Sequence, residues 1–193
     1  MLQYIMLFSL SELVEVQGLQ YLPDWITTDQ EQDLLNHIRT LSFSEVRMHG
    51  VTAKRQVVHF GWNYGYDSWQ LSPADPIPSW LVSIRERAAS LISVPAETVE
   101  EVLISRYAQG AGIGWRRDAP MFGPSVVGIS LAGVCRMRFQ RMIGATRRTT
   151  EILLAPRSIY VLAGAARFQW QHSIPPTKEL RYSITFRTVR KKP

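Results

Sequence analysis

The sequence predicts a mainly β protein in which helices precede an antiparallel sandwich or barrel. Apolar and polar side chains alternate over residues 135–140 and 180–188, as they do in strands with one face toward a core. Short apolar runs lie between these segments, and glycine or proline separates them without any helical pattern. The length of 193 residues corresponds to one domain, residues 1–193.

The first half predicts two helices. Thr28-x-x-Glu31 has the spacing of a capping box, and apolar residues follow at helical spacing, so a helix is expected over residues 29–41. A second helix is expected after Pro78-Ser79. Its apolar face would consist of Leu81, Ile84, Ala88 and Leu91.

The cysteine content and the apolar segments restrict the cellular location and the kinds of site that the protein can contain. A lone cysteine, Cys135, excludes a disulfide framework and a cysteine-rich zinc site, and it favours a reducing, cytoplasmic location. No apolar run reaches the roughly 18 residues of a membrane span. The apolar segment Met1–Leu10 lacks a basic leader and a small-residue cleavage site, so we interpret it as an edge segment of the fold. The sequence makes no prediction about the oligomeric state.

Charge is divided unevenly along the chain. Residues 1–100 carry 6 Lys+Arg and 12 Asp+Glu, whereas residues 101–193 carry 16 and 4. Of the 22 basic residues, 18 are arginines, which suit bidentate contacts with carboxylates or phosphates. Two explanations remain open. The acidic half could neutralise the basic half, or the basic half could bind an anionic ligand.

The predicted last strand has an unusual polar face. Arg181, Ser183, Thr185 and Arg187 alternate with apolar residues and therefore share one side. The two arginines are six residues apart, which is about 20 Å of strand. Arginine side chains that point toward each other would leave room for a short dicarboxylate. A duplex backbone or a solvated surface fits the same spacing.

Further motifs accompany this strand in order. They are Tyr107-Ala-Gln-Gly-Ala-Gly-Ile-Gly-Trp-Arg116-Arg-Asp118-Ala-Pro, Gly128-Ile-Ser-Leu131 and Trp170-Gln-His172-Ser-Ile-Pro. The series resembles the AlkB family of iron(II)- and 2-oxoglutarate-dependent oxygenases, from about residue 18 to residue 190 and most strongly over 102–190. The resemblance implies a double-stranded β-helix (jelly roll) core over about residues 100–190.

The same resemblance implies a set of site residues. In the family, a His-x-Asp pair and a distant His bind iron and leave positions open for 2-oxoglutarate and oxygen. Asp118 matches the carboxylate ligand and His172 the distal histidine. The residues that match the carboxylate-binding set of the co-substrate are Tyr107, Arg181 and Arg187, with Ser183 where many members carry an Asn. An active protein would remove N-alkyl groups oxidatively.

Three positions depart from the family pattern. Arg116 stands where the family has its first histidine ligand, and a guanidinium has no lone pair to give to iron. We therefore expect weak or absent iron(II), and Asp118 could simply pair with Arg116 or Arg117. Ser105 replaces an Asn near the co-substrate. Pro120 stands where repair enzymes often carry a carboxylate that contacts the damaged base.

Residues 43–78 are rich in glycine, proline and aromatic residues, and we interpret them as a lid-like loop region. Cations near aromatic rings suit a flipped or single-stranded base, so single-stranded nucleic acid is the expected partner. Of the four aromatic residues in Trp62–Trp69 that could stack on a base, two are expected to pack in the core instead. The candidate contacts are Trp62, Tyr64, Tyr66 and Trp69, with Lys54, Arg55 and His49 nearby.

The sequence leaves three functions open. The protein could be an oxygenase that acts on alkylated nucleic acid. It could be a non-catalytic protein that binds nucleic acid or senses 2-oxoglutarate. It could also be an oxygenase that acts on a protein or a small molecule. The remaining histidines, His37, His49 and His59, are expected on the surface or in packing rather than as metal ligands.

Overall fold

Two antiparallel sheets face each other in the computed structural model, which describes residues 15–48, 51–65 and 70–190. The strands are β1 (Leu19–Leu22), β2 (Ser44–Met48), β3 (Val51–Phe60), β4 (Trp62–Tyr64), β5 (Leu71–Pro73), β6 (Val99–Tyr107), β7 (Ile113–Arg116), β8 (Phe122–Ala132), β9 (Cys135–Ile143), β10 (Thr146–Leu154), β11 (Ile159–Leu162), β12 (Gln171–Ile174) and β13 (Arg181–Val189). The helices are α1 (Thr28–Arg39), α2 (Val82–Leu91) and α3 (Gly164–Phe168), with 3₁₀ helices at Ser79–Leu81 and Ala96–Thr98.

The large sheet has seven strands in the order β1-β11-β8-β13-β6-β3-β2, and the small sheet has four in the order β10-β9-β12-β7. A separate ribbon pairs β4 with β5. The last strand, β13, lies at the centre of the large sheet between β6 and β8. Every side chain of its first seven residues is buried, because other elements cover both faces of the sheet.

Two apolar cores lie on opposite faces of the large sheet. On one face, Tyr182, Ile184 and Phe186 of β13 pack with residues of α1 and α2. On the other face, β8 and β11 pack against the small sheet through Phe139 and Trp170 among others. The predicted alternation of β13 is therefore correct, and its polar residues lie between the two sheets. A solvated surface is excluded for this face.

The N-cap of helix α1 lies one residue earlier than the sequence predicts. Thr27 is the N-cap, and it exchanges hydrogen bonds with Gln30 in a capping box, so the predicted pairing of Thr28 with Glu31 is wrong. Glu31 is instead buried and accepts a hydrogen bond from the backbone N–H of Ala132. The second helix is confirmed, with Leu81, Ile84 and Ala88 buried.

The loop-rich interpretation of residues 43–78 is wrong for much of the segment. Strands β2 and β3 form one edge of the large sheet, and β1 forms the other edge. The first half therefore contributes three strands to the β core, in addition to helices. Residues 66–69, which include Tyr66 and Trp69, lie outside the described residues, as do His49 and the segment Met1–Leu10.

Across the described parts of the chain, no helix is long and apolar enough to cross a membrane.

Candidate metal and carboxylate site

A cavity lies between the two sheets, on the side of the polar face of β13. Six side chains of β6 and β13 line it: Leu103, Ser105, Tyr107, Ser183, Thr185 and Arg187. Residues that lie opposite each other on the two strands share one face of the sheet. These pairs are Arg187 with Glu101, Thr185 with Leu103, Ser183 with Ser105, and Arg181 with Tyr107. The antiparallel register therefore brings distant segments of the sequence to one site.

The structure brings Asp118 and His172 together as the sequence predicts. His172 Nε2 lies 3.9 Å from Asp118 Oδ2, and both side chains are nearly buried at the cavity. Arg116 is the direct cross-strand partner of His172, so the two side chains lie on the same face of the small sheet. A guanidinium thus lies beside the distal histidine, at the cavity wall.

Surrounding charges alter the pKa of both groups. Burial alone would raise the pKa of Asp118, but the positive charges of Arg187, His172, Arg167 and Arg116 outweigh it and hold this pKa far below the ordinary value. Burial lowers the pKa of His172, Asp118 opposes that shift, and the neighbouring arginines reinforce it. The site therefore favours an ionised Asp118 beside a neutral imidazole.

The low pKa of Asp118 predicts a specific acid sensitivity in the metal-free protein. Since its folded pKa lies below the ordinary value of 3.8, ionised Asp118 stabilises the fold above that pH, and the stabilisation is lost as the pH falls toward the folded pKa. Urea unfolding at a series of pH values below about 5 should show a steeper loss of stability than in Asp118→Asn. Equal pH dependence in the two proteins would contradict this assignment.

Arg187 bridges two buried carboxylates. Its Nη2 donates to Asp118 Oδ1 at 2.7 Å, and its Nη1 donates to both oxygens of Glu101, at 3.2 and 3.0 Å. Glu101 is fully buried and also lies 3.6 Å from His59 Nδ1. Arg187 thus pairs with Glu101 and Asp118, and the imidazoles of His59 and His172 lie beside the two carboxylates. These five residues are called the ion-pair network.

Arg181 occupies a contrasting environment. It is fully buried, its Nε donates to Ser130 Oγ at 3.0 Å, and its guanidinium lies 5.1 Å from the centre of the Tyr107 ring. Its two terminal nitrogens have no hydrogen-bond partner among the described residues. A buried guanidinium with open donors fits a carboxylate, because an anion would supply both charge and acceptors.

The donor set does not fit a three-ligand iron site. Asp118 and His172 lie together at the cavity, and Arg116, which the family resemblance aligns with the remaining ligand, lies beside His172 with no lone pair to offer. Within residues 15–48, 51–65 and 70–190, no group of three or more His, Cys, Asp or Glu side chains is arranged to hold a metal ion. Two ligands beside a fixed cation make a poor site for a divalent ion.

Comparison with known proteins shows the family of this chain. A family model described as the 2OG-Fe(II) oxygenase superfamily matches residues 18–187. The chain is 29% identical to the "Alkylated DNA repair protein ALKBH8 homolog" of Arabidopsis thaliana, and 28% identical to the alpha-ketoglutarate-dependent dioxygenase AlkB of Escherichia coli. The chain belongs to the AlkB family of this superfamily.

The extent of these matches differs. The Arabidopsis alignment covers 95% of this AlkB-family chain and 61% of that relative, and the Escherichia coli alignment covers 69% of each. The solved structure of OsALKBH1 superimposes with a TM-score of 0.72 at 15% identity, over 89% of this chain and 96% of that chain. The predicted jelly-roll fold is therefore confirmed.

The aromatic candidates have different environments. Tyr64 is buried and contacts Phe122 edge-on, with ring centres 6.1 Å apart, while it also lines the cavity. Trp62 is half-buried on β4. Arg55 lies on β3 rather than on a loop, where it is buried and donates to Ser105 Oγ at 3.3 Å. Arg55 and Ser105 therefore belong to the cavity of this AlkB-family site.

Sequence reasoning missed two members of the ion-pair network. Glu101 alternates with Leu103, Ser105 and Tyr107 along β6, and this period could have assigned it to the cavity face. His59 was expected away from the β core, but it lies on β3 at the cavity. His37 agrees with the surface expectation, since its ring stacks on Trp80.

Proposed function

We propose that this chain binds nucleic acid through an AlkB-type fold and turns over little or no 2-oxoglutarate. One observation carries the loss of turnover: Arg116 lies directly across from His172, where an iron ligand is needed. Asp118, the other candidate ligand, already accepts a hydrogen bond from Arg187. An ion-pair network takes the place of a metal centre in this proposal.

Relatives and charge together support nucleic acid as the ligand. The names of similar proteins include an alkylated DNA repair protein homologue and a probable RNA/DNA demethylase. Pairing between the acidic and basic halves of the chain is seen for Arg157, which contacts Asp24 and Glu31. By contrast, Arg117, Arg141, Arg147 and Arg148 form no ion pair with any described residue, so their charges are available to an external anion.

Three of these side chains form a surface that we call the arginine cluster: Arg117, Arg141 and Arg148. Arg141 and Arg148 are cross-strand partners on β9 and β10, and like charges placed directly opposite each other destabilise a sheet. Arg117 and Arg141 both donate to Gln169, at 3.1 and 2.8 Å. A phosphate at this cluster would relieve the repulsion, and Arg117 directly precedes Asp118, which lines the cavity.

Removal of one arginine should reveal phosphate contact. For Arg148→Ala, we expect the slope of log affinity for a single-stranded oligonucleotide against log salt to fall by about 0.7, as for one lost phosphate contact. Arg39→Ala is the matched control, since Arg39 is an exposed arginine on α1 in the acidic half, and its slope should not change. Fluorescence anisotropy at several salt concentrations measures both. Equal slopes in the two variants would argue against the cluster.

The same binding experiment tests the proposed function when it is combined with a turnover assay. We expect the parent protein to bind the single-stranded oligonucleotide more tightly than a duplex, and to form no succinate above background with iron(II) and 2-oxoglutarate present. Succinate formation at an oxygenase rate would contradict the proposal, and so would the absence of oligonucleotide binding at low salt.

A second function is favoured by Arg181. Its open, buried terminal nitrogens suit a carboxylate, so the chain could bind a small organic acid without turnover. The sequence predicts that this acid is 2-oxoglutarate, bound between Arg181 and Arg187 with Tyr107 as a further donor, whereas in the structure Glu101 and Asp118 already engage Arg187. Calorimetry with the metal-free protein separates this function from nucleic-acid binding alone.

A further inference from the structure

The two arginines of β13 differ in what already neutralises them. Both lie on the same face of the strand, and both are buried. Arg187 lines the cavity, and Arg181 lies against Tyr107, which also lines it. Arg187 has two carboxylates as partners, whereas Arg181 has a hydroxyl, an aromatic ring and the Cys135 thiol as neighbours. The two ends of the same polar row therefore offer very different sites to an incoming acid.

The terminal nitrogens of Arg187 are already engaged by carboxylates of the chain. One guanidinium serves Glu101 and Asp118, and its two terminal nitrogens donate to both carboxylates within 3.2 Å. An additional carboxylate would have to displace Glu101 or Asp118 from these donors, and the displaced carboxylate would stay buried without its partner. At the Arg181 end the carboxylate is missing, and the terminal nitrogens have no hydrogen-bond partner within the described ranges.

Sheet register fixes Glu101 at this position. Glu101 and Arg187 are direct partners across β6 and β13, so their Cβ atoms are held about 5 Å apart on one face. Glu101 is fully buried, which leaves its side chain no alternative position in water. The carboxylate thus stands on a strand inside the large sheet, beside Arg187 of the cavity lining.

We infer that Glu101 determines which acids this site accepts, by occupying Arg187 in the place of a ligand carboxylate. The site then takes an acid with a single carboxylate, bound at Arg181, and rejects the second carboxylate of a dicarboxylate such as 2-oxoglutarate. This inference extends the proposed function, since it rests on the absence of 2-oxoglutarate turnover and adds a reason for it that is independent of Arg116.

Two acids of matched shape test the inference on the metal-free protein. In 4-oxopentanoate, a methyl group replaces the carboxylate next to the keto group of 2-oxoglutarate, and the distal carboxylate is kept. Calorimetry should show that the parent protein binds 4-oxopentanoate more tightly than 2-oxoglutarate. A parent protein that prefers 2-oxoglutarate, or that binds neither acid, would overturn the inference without the need for any variant.

Glu101→Gln should reverse this preference. The amide keeps the size of the side chain and an acceptor for Arg187 but removes the negative charge. We expect 2-oxoglutarate affinity to rise at least about 10-fold, while 4-oxopentanoate affinity changes by less than about 2-fold. The matched control is Glu151→Gln, which removes an exposed carboxylate of β10 and should leave both affinities unchanged. Equal 2-oxoglutarate affinity in the parent and in folded Glu101→Gln overturns the inference.

A double variant tests whether both acids bind at Arg181. A separate measurement of oligonucleotide affinity distinguishes this inference from the proposed function. Arg181→Met, combined with Glu101→Gln, should abolish the binding of both acids; retained binding would overturn the inference. Oligonucleotide affinity is measured on the same proteins. If oligonucleotide binding fails while the acid preference holds, the proposed function is wrong and the inference about Glu101 stands. If the acid preference fails while oligonucleotide binding holds, the inference about Glu101 is wrong and the proposed function stands.

Discussion

Arg116→His is expected to raise the affinity for iron(II) by at least about 100-fold over the parent protein. Loss of a group that merely orients a metal ligand costs 10- to 100-fold in affinity, and here a direct ligand is restored while a repelling cation is removed. Asp118 and His172 already lie 3.9 Å apart, and residue 116 faces them from the neighbouring strand. Anaerobic titration with iron(II), followed by metal analysis after gel filtration, measures the change.

Arg117→His is the matched control for this experiment. Arg117 is the next arginine along the chain, it is exposed, and it donates to the Gln169 carbonyl oxygen. Its replacement adds an imidazole and removes a positive charge without restoring the ligand position. A parent protein that retains one iron per chain would contradict the prediction, and so would equal gains in the two variants.

Arg187→Leu is expected to lower the free energy of unfolding by about 3–5 kcal/mol, because it leaves two buried carboxylates without their common partner. Glu101 is fully buried, and Asp118 is nearly so. The apolar replacement also brings no hydrogen-bond donors to either group. Urea unfolding at neutral pH, followed by circular dichroism, gives the difference.

Two further variants show whether the loss comes from the buried pairs. Arg136→Leu removes an exposed arginine that lies 3.7 Å from Glu151, and such a surface pair is worth at most about 1 kcal/mol. The double variant Arg187→Leu with Glu101→Leu should recover part of the loss, since one stranded carboxylate is removed with its partner. A loss in Arg187→Leu no larger than in Arg136→Leu would contradict this account.

The polar row of β13 could be predicted because the period of a strand depends only on local backbone geometry. The partners of that row could not. Glu101 is 86 residues away from Arg187 along the chain, and only the pairing of β6 with β13 brings them together. The sequence therefore predicts that Arg187 binds a ligand carboxylate, whereas in the structure Glu101 of the same chain pairs with it.

The segment 43–78 was misinterpreted for a related reason. Glycine, proline and aromatic residues in this segment resemble loop composition, but β3 contains neither glycine nor proline, and it pairs with β6 from a distant part of the sequence. The capping box of α1 was displaced by one residue because Thr27 and Thr28 are both good N-cap residues, so composition alone does not choose between them.

The central position of β13 has a consequence for how the protein folds during synthesis. β6 and β8 do not pair with each other; each pairs with β13, which is the last strand of the described chain. The large sheet therefore stays divided into two unconnected parts until residue 189 has left the ribosome. Such non-local closure is slow, and open strand edges are exposed to aggregation in the meantime. Because Arg181 and Arg187 arrive on that strand, the cavity and the complete sheet form in the same final step.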